Sequence, residues 1–330
     1  MEKLTSILVV ANRTSTDQAL LEKAVALARS VGARIDLYSC DAVLARLLRH
    51  SYPTEEAERA WTICLAEHVT YLRRLQAAIC APDVQISVDA ACHSPLYEGI
   101  LEKIRQIRPD LVMKSPAGVH PLRRLAFDSN DWKLTKACPT TLMLVRPHPW
   151  RIVPKFAALV DVSEERTAQF AQTIVHTSEY FTLGCHGELD VVYSEASSNG
   201  REQSERLDSL QRLVREYHVE SSHVHVLSGD PDDVVPEFAA RQNYDAVVLG
   251  ALTHRKGISG IGGMLTSRIV DAVDCDLILV ERSDRDLADT TDPSAADADH
   301  CDSAGPEHSA RMQRSSASRS SVLRQSMFSN

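Results

Sequence analysis

The chain has 330 residues, of which 44% are hydrophobic and 25% are charged, and it carries a formal net charge of −9. This length predicts two domains that each bury a core. The acidic balance disfavours nonspecific nucleic-acid binding. The sequence contains no run of about 18 apolar residues, so no membrane span is predicted. The N-terminus lacks a signal-peptide layout, and the 8 cysteines are scattered without C-x-x-C pairs. Both features are typical of a soluble, cytoplasmic protein with reduced thiols.

Strands and helices alternate along the first half of the chain. Short apolar runs predict strands at 7–11, 35–38, 84–88, 111–113 and 141–145. Helical spacing predicts helices at 17–31, 95–108 and 132–137, and a long insertion at about 41–80 predicts one short and one long helix around Pro53. A loop that contains Leu125 and Phe127 is predicted before the last helix. The alternation indicates a parallel sheet covered on both faces.

The second half repeats this order. Its strands are predicted at 156–161, 189–193, 224–227, 246–249 and 277–280, and its helices at 164–180, 203–217, 231–241 and 265–273. The segment PDLVM at 109–113 parallels YDAVV at 244–248, which favours duplication of a whole α/β unit. We therefore predict domains at 1–149 and 150–283. Beyond them, the composition predicts a disordered tail at 284–330, with a partner-binding element as the alternative.

A glycine-rich loop separates the strand at 246–249 from the helix at 265–273. A loop in this position is typical of anion-binding sites, because backbone N–H groups and the helix dipole favour negative charge there. It contains neither the G-K-[ST] end of a P-loop nor a G-x-G-x-x-G turn, so a plain flexible connection is the alternative. The spacing is G-x-x-T-x9-G followed by M-L-T, formed by Gly250, Thr253, Gly263, Met264, Leu265 and Thr266.

This spacing resembles the signature of the universal stress protein family, G-x-x-G-x9-G-[ST], which wraps the phosphates of ATP. Gly250 and Gly263 match the signature. Thr253 stands at the second glycine, Met264 stands at the phosphate-binding Ser or Thr, and Thr266 follows two residues later. The strings SNDWKLTKACPTTLMLVRPHPW and VDCDLILVER extend the resemblance to tandem members of the family, especially the E type, over about residues 4–284.

The resemblance implies a particular α/β architecture. Each half would be an adenine-nucleotide α-hydrolase-like (Rossmann-like) domain with a five-stranded parallel sheet of order 3-2-1-4-5. The two halves would pair their fifth strands as an intrachain pseudo-dimer and so cover open sheet edges. A homodimer of the whole chain and protein partners of unknown identity are left open.

The resemblance also implies individual site residues. Asp161 matches the aspartate that contacts adenine, and Asn12 stands at that position in the first half. Ser194 and Leu249 match positions that line the adenine pocket. The alternative role for Asp161 is a helix N-cap near Ser163, since aspartate favours such turns. Because the first half lacks the glycine loop, its site is predicted to be degenerate and the second half to hold the ligand.

We thus predict a stress-response protein whose second domain binds ATP, another adenine nucleotide or a similar small anionic metabolite without catalysis. The alternative is a nucleotide-independent interaction scaffold. A weak ATP hydrolase is less favoured, because no motif places a general base. No metal site is predicted, since Cys92-His93 and Cys185-His186 lack partners at metal-ligand spacing. His223 and His225 are predicted to share one solvated face of an edge strand.

Overall fold

A computed structural model describes residues 4–48, 54–116, 118–120, 123–126, 129–163, 165–195, 200–251, 269 and 272–281. Residues 284–330, where the sequence predicts a tail, lie outside this set. The first strands and helices are β1 (Ser6–Ala11), α1 (Asp17–Val31), β2 (Arg34–Asp41), α2 (Val43–Leu48), α3 (Glu55–Ile79), β3 (Ile86–Cys92), α4 (Leu96–Ile107) and β4 (Leu111–Lys114). They are followed by β5 (Gly118–His120), β6 (Arg123–Ala126), α5 (Ser129–Ala137) and β7 (Thr141–Leu144).

The second half follows the same order. Its elements are β8 (Lys155–Val160), α6 (Glu165–Gly184), β9 (Glu188–Glu195), α7 (Gly200–Glu216), a 3-10 turn (Ser221–His223), β10 (Val224–Ser228), α8 (Pro231–Gln242), β11 (Ala246–Gly250) and β12 (Asp276–Val280). Most of the helix predicted at 265–273 lies outside the described residues. None of the helices in the described part of the chain combines the length and apolar character that a membrane crossing requires.

Ten strands form one continuous sheet within the described residues, in the order β10-β9-β8-β11-β12-β7-β4-β1-β2-β3. Each half therefore has the predicted order 3-2-1-4-5, with parallel neighbours throughout. The halves join where β12 runs antiparallel to β7, with Leu277 opposite Leu144 and Leu279 opposite Leu142. The predicted pairing of the fifth strands is confirmed. The sheet is continuous across the boundary predicted at 149/150, so that boundary stays a prediction.

The sheet carries one apolar layer on each face. Alternate strand residues such as Val9 and Val248 pack against α1, α3, α6 and α7 on one face. Residues such as Leu8 and Leu249 pack against α4, α5 and α8 on the other face. This alternation follows from the period of two in a strand, and burial on both faces explains the near-continuous apolar runs in the sequence.

Local signals set several helix ends. Asp230 accepts a hydrogen bond from the N–H of Asp232 at 2.9 Å, and Pro231 occupies the first turn of α8. This is the turn and helix start that the sequence G-D-P-D predicts. Helix α1 ends where Gly32 adopts the left-handed conformation, with φ of 73°. The small antiparallel hairpin of β5 and β6 replaces the loop that the sequence predicts there.

A buried charge cluster bridges the two halves beside β7 and β12. Lys23 Nζ, from α1, lies 2.9 and 2.7 Å from the two carboxylate oxygens of Asp276. The backbone N–H of Arg146 and the indole N–H of Trp150 donate to the same carboxylate at 2.6 and 2.7 Å. The Arg146 side chain in turn donates to the carbonyl of Val273 at 2.8 Å. Three donor groups make four contacts to the Asp276 carboxylate and offset part of its loss of water, although burial still raises its pKa above the ordinary value.

We predict that Asp276→Ala lowers the free energy of unfolding by about 3–5 kcal/mol, because it leaves Lys23 buried without its partner carboxylate. Urea unfolding of the full-length protein measures this change. The matched control is Asp83→Ala, which removes an exposed ion pair with Arg29 and should leave the midpoint unchanged. Equal midpoints for Asp276→Ala and the wild type would show that the cluster does not stabilise the joined halves.

A second buried carboxylate organises the outer strands of the second half. Asp190 is 1% exposed and accepts a hydrogen bond from the Tyr244 hydroxyl at 2.6 Å. Lys155 Nζ lies 3.0 Å from it, His223 Nδ1 2.7 Å and His225 Nε2 3.3 Å. His223 lies in the turn directly before the edge strand β10, His225 lies within the strand, and both side chains reach the same carboxylate. They are partly exposed, at 39% and 26%, so the predicted solvation holds only in part, because the neighbouring strand β9 places a carboxylate against them.

This network predicts a pH dependence of stability. Burial acts to raise the pKa of Asp190, but hydrogen bonds from Tyr244, His223 and Lys155 outweigh it and lower the pKa below its ordinary value. A carboxyl of this kind stabilises the folded state above its unfolded pKa, and this stabilisation is lost as the pH falls through the folded pKa. The advantage of the wild type over Asp190→Asn in urea unfolding should therefore shrink below about pH 4. An advantage that stays constant through that range would contradict the assignment.

Candidate functional site

Three of the predicted site residues lie at the carboxyl ends of neighbouring strands. Asp161 follows β8, Ser194 lies near the end of β9, and Gly250 ends β11. The strands run in the order β9-β8-β11, so these ends meet at one rim of the sheet. We call Asp161, Ser194 and Gly250 the second-half rim. Strand order reverses between β8 and β11, and in open α/β sheets ligands bind in the crevice at such a switch point.

Asp161 uses only one of its carboxylate oxygens within the described structure. Oδ1 accepts the backbone N–H of Ser163 at 2.9 Å, which closes a local turn of the kind that aspartate favours. Helix α6 begins only at Glu165, so this bond is a turn before the helix. Oδ2 is buried and has no hydrogen-bond partner among the residues that the structure describes. A buried carboxylate oxygen without a donor is costly, so this atom calls for a donor from outside the described residues.

Ser194 is 8% exposed and its hydroxyl donates to the carbonyl of Gly229 at 2.9 Å. Gly229 has φ of +131°, a conformation that requires glycine. This bond holds the turn before α8 against the rim. Leu249 is fully buried and packs in the apolar layer beneath α8. The remaining predicted site residues lie outside the described part of the chain and stay predictions, namely Thr253, Gly263, Met264, Leu265 and Thr266.

Gly250 has a packing role that the sequence does not reveal. It is the last residue of β11, opposite Val280 of β12, so the strand extends one residue beyond the predicted 246–249. A Cβ at this position would overlap the ring of Phe170 from α6. Glycine is therefore required here by the close approach of α6 to the sheet.

In the first half, the corresponding polar groups have partners within the chain. Asn12, at the position of Asp161, donates from its amide to the carbonyl of Ser115 at 3.1 Å. Lys114 Nζ donates to the same carbonyl at 2.9 Å and to Asp131 at 2.6 Å. Lys114 and Asp131 are 1% and 0% exposed. The Asn12 amide thus stands at the position of Asp161, and the repeat places Lys114, with its buried ion pair, at the position of Leu249.

A groove of about 790 Å³ begins at Val162 and Ser163, directly after Asp161, and runs between α6 and α7. Arg206 and Arg212 of α7 also line it. The volume lies within the range of about 300–1,000 Å³ that is typical of small-molecule sites. The groove adjoins the second-half rim in the chain, but none of the three rim residues is among the residues that line it.

A duplicated parallel sheet of order 3-2-1-4-5, with polar residues at its switch point, defines a tandem Rossmann-like protein. The family model described as universal stress protein family matches residues 3–146 and 160–281. The chain belongs to the universal stress protein family, and its two copies of the domain account for nearly the whole described structure. The predicted family and its tandem arrangement are confirmed.

Several named relatives share this layout. The chain is 23% identical over 312 residues to the universal stress protein E homolog of Haemophilus influenzae, covering 86% of this chain and 99% of the relative. It is 22% identical over 301 residues to universal stress protein E of Escherichia coli (strain K12), covering 84% and 93%. A solved universal stress protein of Archaeoglobus fulgidus superposes with a TM-score of 0.60 at 12% identity, covering 86% of this chain and 100% of that one. The last comparison shows a common fold.

The close approach at Gly250 generates a stability prediction. Gly250→Ala should lower the free energy of unfolding by about 1–3 kcal/mol, because the added methyl group overpacks the Phe170 ring. The test compares the substitution in two backgrounds by urea unfolding. In a Phe170→Leu background the same change should be nearly neutral, since the ring is gone. An equal loss in both backgrounds would show that Phe170 is not the reason for glycine at this position.

Proposed function

We propose that the second half binds an adenine nucleotide at the second-half rim, and that occupancy acts as a signal instead of starting a reaction. The observation that carries this proposal is the buried Oδ2 of Asp161, which has no donor among the described residues. The rim lies at the switch point of the sheet, where the fold leaves room for a ligand.

The chemistry of Asp161 selects which part of a nucleotide it contacts. An ionised carboxylate only accepts hydrogen bonds. It therefore attracts the exocyclic amino group of adenine and repels phosphate. The phosphates would then lie on the glycine-rich loop of residues 250–266, where backbone N–H groups favour anions. The geometry of that loop lies outside the described residues, so the phosphate contacts rest on the sequence pattern.

The difference between the halves supports one site for each chain. In the first half, Asn12 is bound to Ser115, and Lys114 is paired with Asp131. These groups would have to break buried contacts before they could bind a ligand. We infer a single nucleotide per chain, held by the second half.

A scaffold without nucleotide is the second candidate. Met264 supplies no hydroxyl at the position where the family signature has Ser or Thr, and this substitution favours loss of phosphate binding. Under either function, family membership marks the chain as a stress-response protein, and we infer that it acts through protein partners. The described cysteines are all free thiols, which supports our proposal that it works in the reducing cytoplasm.

Calorimetric titration of the full-length protein with ATP tests the proposal. We expect one equivalent per chain. Asp161→Ala should weaken binding about 10- to 100-fold, because it removes a hydrogen bond to a charged group. GTP should bind more weakly than ATP, because guanine presents a carbonyl oxygen where adenine presents its amino group.

The matched control is Asn12→Ala, which makes the equivalent change in the first half and should leave ATP affinity unchanged. Two equivalents of ATP, or equal losses from Asn12→Ala and Asp161→Ala, would contradict a single site in the second half. No binding of ATP, ADP or AMP would favour the scaffold.

A further inference from the structure

Four potential metal ligands converge between helix α3 and the edge of the first-half sheet. Cys64 and His68 are four residues apart on α3, so they share one face of the helix. Asp41 and Cys92 are directly opposite each other in the paired strands β2 and β3. Helix α3 packs on these two strands and brings the two pairs together. We call Asp41, Cys64, His68 and Cys92 the α3 cluster.

The distances within the α3 cluster are short. His68 Nε2 lies 3.3 Å from Asp41 Oδ2, and Cys64 Sγ lies 3.9 Å from Cys92 Sγ. The ligand atoms of Asp41, Cys64 and His68 all lie within 4.8 Å of one another. His68 is 4% exposed and Cys92 7% exposed, while Asp41 and Cys64 are half-buried. The donors are thus close together, largely shielded from water and open on one side.

Two of these separations match edges of a zinc tetrahedron, whereas Cys92 lies outside the group of three residues whose ligand atoms are all within 4.8 Å of one another. With Zn–S bonds of about 2.3 Å, two sulfurs in a tetrahedral site lie about 3.8 Å apart. With bonds of about 2.0–2.1 Å, a nitrogen and an oxygen lie about 3.4 Å apart. The observed Cys64–Cys92 and His68–Asp41 separations fall close to these values. Two sulfurs, one imidazole and one carboxylate also form a donor set that suits a borderline-soft divalent ion.

We propose that Asp41, Cys64 and His68 bind one Zn²⁺-class ion, and that Cys92, which contacts Cys64, turns toward the bound ion as the fourth ligand. This inference is independent of the nucleotide proposal, because it concerns the first half and none of the second-half rim residues. The bound ion would tie α3, which connects β2 to β3 along the chain, to the strands on which it packs.

Neighbouring groups already orient two of the ligands. Ser39 Oγ lies 2.8 Å from His68 Nδ1, so it engages that nitrogen and leaves Nε2 facing Asp41. The backbone N–H of Leu44 donates to Asp41 Oδ1 at 2.7 Å, which leaves Oδ2 for a metal. Metal-binding histidines and carboxylates are commonly held in this way by hydrogen bonds from the next layer of residues. Ser39 and Asp41 alternate along β2 on the same face, which places this support directly beneath the site.

Cobalt titration of the full-length protein tests the site. The protein is stripped with a chelator and kept reduced with a phosphine, and Co²⁺ is then added. We expect one equivalent per chain, with the intense visible bands of tetrahedral Co²⁺ and near-ultraviolet sulfur-to-cobalt charge transfer. Zn²⁺ should displace the cobalt and bleach both signals. Zn²⁺ should also raise the melting temperature, because it binds the folded chain preferentially.

Variants separate the proposed ligands from other thiols. Cys64→Ser and Cys92→Ser should each weaken the charge-transfer band, and the double variant should abolish it together with the zinc-dependent rise in melting temperature. Cys80→Ser is the matched control, because Cys80 is an exposed thiol at the end of the same helix, and its spectrum should equal that of the wild type. Ser39→Ala should keep the stoichiometry and lower the affinity about 10- to 100-fold.

Two results would overturn the proposal. One is a double variant that folds, as judged by circular dichroism, and still gives the wild-type cobalt spectrum. The other is a reduced wild-type protein, with its thiols confirmed by titration, that shows only weak octahedral bands without charge transfer. If the double variant fails to fold, Cys64→Ala alone decides, since an unchanged charge-transfer band in it would exclude the one thiol that lies within the group of three close ligands.

Discussion

The antiparallel contact between β7 and β12 is the constraint on which the rest of the structure depends. It joins two five-stranded parallel sheets into one sheet of ten described strands and removes one open edge from each half. The buried Lys23–Asp276 pair lies beside this contact and links α1 of the first half to β12 of the second. A buried ion pair is weak support for net stability, but it penalises any alternative register that would leave its charges unpaired. Because β12 runs antiparallel to β7, the strands of the two halves point in opposite directions. The carboxyl ends of the first-half strands therefore lie at the opposite rim of the sheet from those of the second-half strands.

This arrangement allows the halves to diverge in chemistry while they keep one fold. In the first half, the Asn12 amide stands at the position of Asp161 and the buried Lys114–Asp131 pair at the position of Leu249, and both are bound within the chain. The first half also has an extra helix, α2, and its α3, the counterpart of α7, carries two residues of the α3 cluster. We therefore view the duplicated domains as specialised, with a nucleotide site proposed for one and a metal site proposed for the other.

Most of the fold could be predicted from the sequence, because local signals and burial agree. Helix α1 has the predicted bounds, since its apolar stripe ends at Gly32. Strand β3 was predicted at 84–88 but runs from Ile86 to Cys92, because its later residues are only partly buried and give no continuous apolar run. The β5–β6 hairpin was missed, since its short strands lack an alternating pattern.

The rim position of Asp161 and Ser194 could be predicted, because both residues follow apolar runs that form neighbouring strands. Contacts between elements could not be predicted, such as Phe170 against Gly250 or Asp190 against His223. The α3 cluster could not be found from the sequence for the same reason, because its ligands converge only once β2, β3 and α3 are packed.

The central claim is that one half of this duplicated protein holds a nucleotide and the other does not. Native mass spectrometry of the full-length chain, purified and then equilibrated with ATP, tests this claim most directly. The account predicts one adenine nucleotide per chain, in both the monomer and any dimer that forms. Two nucleotides per chain would show that the first half also binds, and a chain without nucleotide at saturating ATP would show that the second-half rim serves another purpose.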